Sequence, residues 1–328
     1  MTDGGKARLR DSDLDFRTAF PAMGTVIDVR GIGEPPDHLA DALAEHALAR
    51  ERAWSTFDPT SQISKLNQSA GSGRWVEVSD ETAAFLHECI EFVQASNGAF
   101  SLTIGALSKL WDVRGWLQAL ALGHSPRFPS ISEIEKARQT ARPDALEWNT
   151  NGEFRLAQGA SLDLGGVAKG RVADELLDIA TQCGLVSALV SVGRSSIAAR
   201  GEHSKGIPWR AGIRSLDDSP LNILGSIDLA DESLATSGDY LQRLPDLVDG
   251  MIIHHVIDPR TGFPAQSGVR QATVVTTDGA LAEVAATTLL VMGELPAHAS
   301  SGYQWLAVRD AGYETSEGLA WNRPTNPA

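Results

Sequence analysis

Apolar positions recur along this chain with two different periods, and the period sorts the chain into helices and strands. In "PPDHLADALAEHALARERAWSTF", Leu39, Leu43, Ala44, Ala47 and Leu48 follow the three-and-four spacing of one helix face, behind an opening at Pro36 and Asp37. A second helical run, "SDETAAFLHECIEFVQASNG", has Ser79 or Asp80 as its N-cap and Gly98 as its stop. "GGVAKGRVADELLDIATQCG" and the nearly all-apolar "TTDGALAEVAATTLLVMG" predict two more helices. Period two marks strands: in "AFPAMGTVIDVRG", read as one strand, Val26, Asp28 and Arg30 alternate against Ile27 and Val29. "LVSALVSVG", "IPWRAGIRS", "LNILGSIDLADESLATSG" and "RQATVVTT" also read as strands, while the polar "DPTSQISKLNQSAGSGRW" reads as a connection. From about 112 to 160 the pattern weakens to a helix near "SISEIEKARQTA" and a hairpin around "LEWNTNGEFRLA". Strands outnumber the connections long enough for parallel crossovers, so the expected class is α+β, with mostly antiparallel sheets and packed helices. No repeat or linker divides the chain. The expectation is a disordered, polar tail over 1–14 and a single domain over 15–328.

Composition narrows the partners. With 328 residues and 42% hydrophobic side chains the chain can bury a sizeable core. Its 28 Lys and Arg against 42 Asp and Glu give a net charge of −14, which argues against nucleic acid or an anionic membrane as partner. An anionic ligand therefore needs a local device such as a metal ion. Cys89 and Cys183 lie in helical patterns outside any CxxC motif and read as buried small hydrophobes. No basic N-terminal run leads into an apolar segment, and none approaches the roughly 18 apolar residues of a membrane span. The expectation is a cytoplasmic protein.

Four stretches carry chemistry. In "SLDLGGVAKGRVADEL" a strand is expected to end at Asp163, two glycines let the backbone turn closely, and Lys169 falls in the first turn of a helix. Free N–H groups and a cation converge there on a possible anion site, although a plain Gly-Gly turn with a solvated Lys fits equally. The spacing matches neither a P-loop nor a dinucleotide fingerprint. In "HHVIDPRTGFPA", His255 and Asp258 are catalytic candidates beside a commoner structural reading: a His at a strand end can act as a general base, but a lone His is more often structural, and Asp258 can serve simply to cap the turn. "LATSGDY" lacks a nucleophile elbow, so Thr236, Ser237 and Asp239 read as a hydrogen-bonded turn. Glu283 and Thr287, four apart on the last helix, are hard oxygen donors suited to Mg2+, and the run from Ala282 to Leu290 holds no other charge that would mark a solvated face.

In this order the chain resembles the FAD:protein FMN transferase family, the ApbE-like flavin transferases. The segments are "AMGT", "STFDPTSQISKLN", "GAFSLTIGALSKLW", "DLGGVAKGRVAD", "ATSGDY", "HHVIDPRTG" and "AEVAATTLLVMG", in register from about residue 20 to 295. The resemblance implies an ApbE-like, T-fold-like architecture. It also implies an activity: FAD is split at its pyrophosphate in the presence of Mg2+, and FMN passes to a Thr or Ser hydroxyl of an acceptor protein as a phosphoester. By the same resemblance Met23 and Phe57 contact the flavin nucleotide, with Phe57 standing where the family often has Tyr. Ala99, Phe100 and Ser101 add contacts, Asp163 and Lys169 bind FAD, and Ile257 and Ala286 line its site. His255 activates the acceptor hydroxyl, and the Gly166 carbonyl, Glu283 and Thr287 are the metal ligands.

Three departures bear on that assignment. Glu283 stands where the family usually has the shorter Asp, Ser101 where it usually has Asp, and Arg194 in "SVGRSSI" where it commonly has a second Gly. Without an export signal in view, the expected acceptor is cytosolic. Two other readings stay open: a FAD pyrophosphatase giving FMN and AMP, and a non-catalytic FAD-binding protein.

Overall fold

The computed structural model describes residues 14–125, 127–216, 222–240, 242–244, 250–297 and 302–323. The tail expected to be disordered lies outside these residues except for Leu14, which packs against an apolar cluster.

The chain begins with β1 (Phe16–Ala22) and β2 (Thr25–Gly33). These replace the single strand expected over this stretch. Met23 (φ 57°) and Gly24 (φ 66°) are both left-handed, which makes a two-residue hairpin turn and leaves Ala22 opposite Thr25. Within β2 the predicted alternation holds: Ile27 and Val29 are fully buried while Val26 is 58% exposed. Helices α1 (Leu39–Trp54), α2 (Gln62–Gln68), α3 (Asp80–Ala95), α4 (Gly105–Trp111), α5 (Val113–Ala121) and α6 (Ile131–Arg138) follow. The stretch expected as a polar connection contains α2, capped by Ser61, whose hydroxyl accepts from the Ser64 N–H. Ser79 caps α3 by accepting from the Thr82 N–H, as expected, and Ser130 with Glu133 forms a capping box on α6.

Next come β3 (Leu146–Trp148) and β4 (Phe154–Leu156), the expected hairpin, then α7 (Ala168–Gln182). Six strands follow: β5 (Leu185–Val192), β6 (Ser196–Arg200), β7 (Glu202–Ser204), β8 (Ile207–Arg214), β9 (Ile223–Leu229) and β10 (Glu232–Gly238). The chain continues through β11 (Gln271–Thr276), α8 (Gly279–Met292), β12 (Gln304–Arg309), β13 (Gly312–Thr315) and β14 (Trp321–Asn322). The mixed α+β class with antiparallel pairing is as expected, and the sheets are open. The largest has eight strands in the order β1-β2-β5-β6-β10-β11-β12-β13, and β14-β9-β8-β7 form a second.

Alternation along the central strands separates two cores. Ala188, Val190, Val192 and Ala198 face α7, while Ala272, Val274 and Ala307 face α8. Their neighbours Leu189, Ala199, Leu234, Val275 and Leu306 face Trp209, Ala211, Ile213 and Ile227 of the second sheet. The large sheet is thus covered on both faces, by helices on one and by strands on the other. Cys89 is fully buried in the helix-side core, and Cys183, at the C-cap of α7, is partly buried; both are free.

Helices α7 and α8 lie together on the sheet and meet backbone to backbone. A Cβ on Gly170 would fall 2.0 Å from the Gly279 carbonyl oxygen, so only glycine permits this approach. Asp174 of α7 fixes the contact, accepting from the Ser233 hydroxyl and from the Gly279 N–H, each at 2.6 Å. Burial, reinforced by nearby Asp278, pushes the Asp174 carboxyl up to about 6.

Candidate active site

The loop before α7 is not the strand expected to end at Asp163. The side-chain amide of Asn67 pairs with both backbone groups of Leu162, accepting its N–H at 2.7 Å and donating to its carbonyl at 3.0 Å. The Asp163 N–H donates to Leu102 O at 2.8 Å. A side chain thus takes the place of a neighbouring strand. Asp163 Oδ1 then accepts the Gly165 N–H at 2.9 Å, turning the chain at the two glycines. A Cβ on Gly166 would lie 3.1 Å from the buried Phe100 ring. That close approach brings two of the predicted segments together.

Lys169 lies in the first turn of α7, as predicted. Its ammonium donates back to Gly165 O at 2.8 Å and reaches across to Glu283 Oε1 on α8 at 2.9 Å. Glu283 is 5% exposed, so the face it shares with Thr287 is not a solvated one. The Ser196 hydroxyl donates to Glu283 Oε1 at 2.6 Å, while Oε2 is buried without a hydrogen-bond partner among the described residues. One turn on, Thr287 Oγ1 lies 3.0 Å from Ser237 Oγ. Ser237 belongs to β10, which corrects the turn expected over "LATSGDY": Leu234 to Gly238 are strand, paired with β11. Beyond the strand, Asp239 Oδ2 accepts from both Arg243 and Arg270.

Among the described residues no group of three or more His, Cys, Asp or Glu side chains is placed to hold a metal. The oxygens near one another are hard donors: an orphaned carboxylate oxygen on Glu283, the Thr287 hydroxyl one turn on, and the Gly165 carbonyl, which shares the Lys169 ammonium with Glu283. Such a set fits Mg2+, which takes few protein ligands and completes its shell with water and phosphate oxygens.

The two adjacent histidines differ. His254 is buried; its Nδ1 accepts the Val256 N–H, so Nε2 carries the proton and donates to Ala265 O at 2.8 Å. His255 is exposed to solvent, yet protein atoms crowd it on several sides and Lys169 lies within its electrostatic reach. That crowding, then repulsion from His254, pushes its imidazole down to about 4. Water screens part of the shift, but the direction leaves the ring neutral at pH 7. Asp258 is buried and bound to its own turn: Oδ1 accepts the Arg260 N–H and Nε, each at 2.9 Å, and Oδ2 accepts Nη2 at 2.8 Å. It holds the turn and clamps Arg260.

The other predicted residues fall into two groups. Met23, half-buried at the hairpin tip, neighbours the β5–β6 turn, where the Gly193 N–H donates to Val26 O at 3.0 Å. Arg194 follows, exposed, with φ 63°. This is a left-handed position natural to the glycine expected there. Phe57 is 90% exposed on the loop after α1, a free aromatic face. By contrast Ala99, Ile257 and Ala286 are buried, Ala99 and Ala286 in one apolar cluster. Ser101 is buried too, its hydroxyl bonded to Thr103 and to Ala141 O. Sequence reasoning missed Asn67, Asp174 and Ser196, although each lies inside a segment already singled out, and set Ser237 aside as part of a turn.

A sequence model of the ApbE family matches residues 23–306. The FAD:protein FMN transferase of Treponema pallidum is 30% identical over 302 residues, covering 88% of this chain and 81% of its own. That of Vibrio cholerae is 29% identical, with 84% and 80% covered. Among solved structures, the ApbE protein of Thermotoga maritima superposes with a TM-score of 0.80 at 27% identity, over 92% of this chain and 97% of its own. The flavin transferase ApbE of Vibrio cholerae gives 0.76 at 26% identity, over 92% and 96%.

Proposed function

The chain belongs to the ApbE family, and from that premise we propose that it is a Mg-dependent FAD:protein FMN transferase whose site lies where α7 and α8 cross. The observation that carries the reading is the buried Glu283, with one oxygen on Lys169 and Ser196, the other without a partner, and Thr287 one turn on. Glu283, Thr287 and the Gly166 carbonyl would hold Mg2+, which when bound supplies charge neutralisation at the pyrophosphate. Lys169 supplies a mobile cation to the same phosphates. Asp163 and Lys169 bind FAD around the Gly165–Gly166 turn, with Phe100 beneath it, Met23 and Phe57 toward the flavin, and Ala99, Ser101, Ile257 and Ala286 as the floor.

His255, neutral and open to solvent, takes the proton of the acceptor hydroxyl. The hydroxyl oxygen forms a bond to the phosphorus of the FMN half, the bond from that phosphorus to the bridging oxygen breaks, and AMP leaves with the electron pair. Asp258 positions rather than reacts, by fixing the turn that carries His255. The acceptor is a protein with an accessible Thr or Ser. A single domain over 15–328 and a cytoplasmic location are part of this proposal. Among the described residues no helix is long and apolar enough to cross a membrane.

Incubation with FAD, Mg2+ and an acceptor domain tests the reading. A denaturation-resistant fluorescent acceptor band is expected, and FAD binding without such a band sinks it. A second reading, hydrolysis of FAD to FMN and AMP, draws on the open position of His255, which also admits water.

A further inference from the structure

Lys169 occupies ground that a cation would otherwise take. Its ammonium bonds Gly165 O at 2.8 Å and Glu283 Oε1 at 2.9 Å, one from each side of the cluster of oxygens at the helix crossing. Glu283 is buried, and a buried carboxylate without a counter-charge is costly, so in the FAD-free protein some cation must sit beside it. The chain supplies that cation itself. The lysine is also free to leave: its side chain is 26% exposed, and its flexible stem ends in a point charge with three rotatable donors rather than a rigid fork.

We infer that Lys169 is the resident counter-ion of the site and sets the order of its assembly. While the ammonium stays on Glu283, a divalent ion approaching Oε2 meets a like charge across a single carboxylate. The FAD pyrophosphate, carrying two negative charges, draws the ammonium off Glu283 and leaves the carboxylate free for the metal. Ser196 stays on Oε1 throughout and keeps the carboxylate pointed at the phosphates. FAD therefore binds first and metal second, and each tightens the other. Glu283 would otherwise collect metal without substrate. This inference rests on Glu283 being a metal ligand.

The test is a cycle of Mn2+ affinities, read by electron paramagnetic resonance on the full chain without acceptor. The wild type, Lys169→Met and Lys169→Gln are each measured without FAD and with saturating FAD. FAD should raise wild-type Mn2+ affinity by about tenfold or more. Both variants should bind Mn2+ at least about tenfold tighter than wild type when FAD is absent, and the gain from FAD, part of which comes from its own phosphate oxygens, should be at least about threefold smaller than in wild type. If the variants gain Mn2+ affinity equally with and without FAD, Lys169 is only a nearby positive charge and the ordering is overturned. If neither variant gains any, it is overturned as well. If wild type with FAD binds no Mn2+, or Glu283→Gln leaves its Mn2+ binding unchanged, Glu283 is not a metal ligand and the reading beneath the inference falls with it.

Discussion

Replacing Glu283 with alanine should cost function far more than stability. Two effects of similar size oppose each other in the fold. The substitution removes the bond from Ser196 Oγ to a charged oxygen, a contact of about 1.5–3 kcal/mol. It also removes a buried oxygen with no partner among the described residues, a burden of about 1–3 kcal/mol. Lys169 loses its counter-charge but is open enough to rehydrate. The difference falls between about −1.5 and +2 kcal/mol, at or below the low end of the 2–5 kcal/mol typical of truncating a large buried side chain. At about 1.5 °C per kcal/mol for a chain of 328 residues, Tm should move by less than about 4 °C. Mn2+ affinity in the presence of FAD should fall by about 100-fold or more. Calorimetry and resonance titration on the same preparation read both quantities. A fall in Tm of about 8 °C or more with unchanged Mn2+ binding would make Glu283 a structural ion-pair partner and refute the reasoning.

As the proposed base His255 must be neutral to accept a proton, and its imidazole is pushed down to about 4, so activity is expected above that value and lost below it. A plot of kcat/KM against pH should stay flat from 8 to about 5 and fall only beyond; a fall centred near 6.5 argues against a depressed base. His255→Ala should lower kcat while leaving the FAD KM nearly unchanged. Arg194→Gly relieves a left-handed φ of 63° and should raise Tm by about 1–3 °C, whereas no rise would mean that the position is unstrained. Gly170→Ala places a Cβ 2.0 Å from the Gly279 carbonyl oxygen, and because backbone on both sides must give way, Tm should fall by about 3 °C or more.

Legibility in the sequence followed the length of the periodic run. Helices α1, α3, α7 and α8 span 16, 16, 15 and 14 residues, and each was read with its type correct. The seven-residue α2 and α4 and the nine-residue α5 were not, because two turns or so hold too few positions for a period to emerge, and of the short helices only the eight-residue α6 was read. The strand expected at Asp163 failed for a different reason. Its backbone bonds go to the Asn67 side chain, a long-range partner that no local pattern reveals. In the site, the spacing of Glu283 and Thr287 was visible in the chain, and so was the placement of Lys169 at a helix start. That Lys169 closes on Glu283 was not, since it depends on the glycine contact between two helices about a hundred residues apart. Ser196 escaped, and Ser237 was set aside as part of a turn, because a serine in a strand carries no signal until its neighbour across space is known.

The central claim, transfer of FMN to a protein hydroxyl, is tested most directly by counting products from one reaction with FAD, Mg2+ and an acceptor. Mass spectrometry of the acceptor and chromatography of the nucleotides give both sides of the balance. Transfer predicts an acceptor heavier by FMN less one water, with one AMP released for each FMN attached. Free FMN matching the AMP, on an acceptor of unchanged mass, would contradict the account and make the protein a FAD hydrolase.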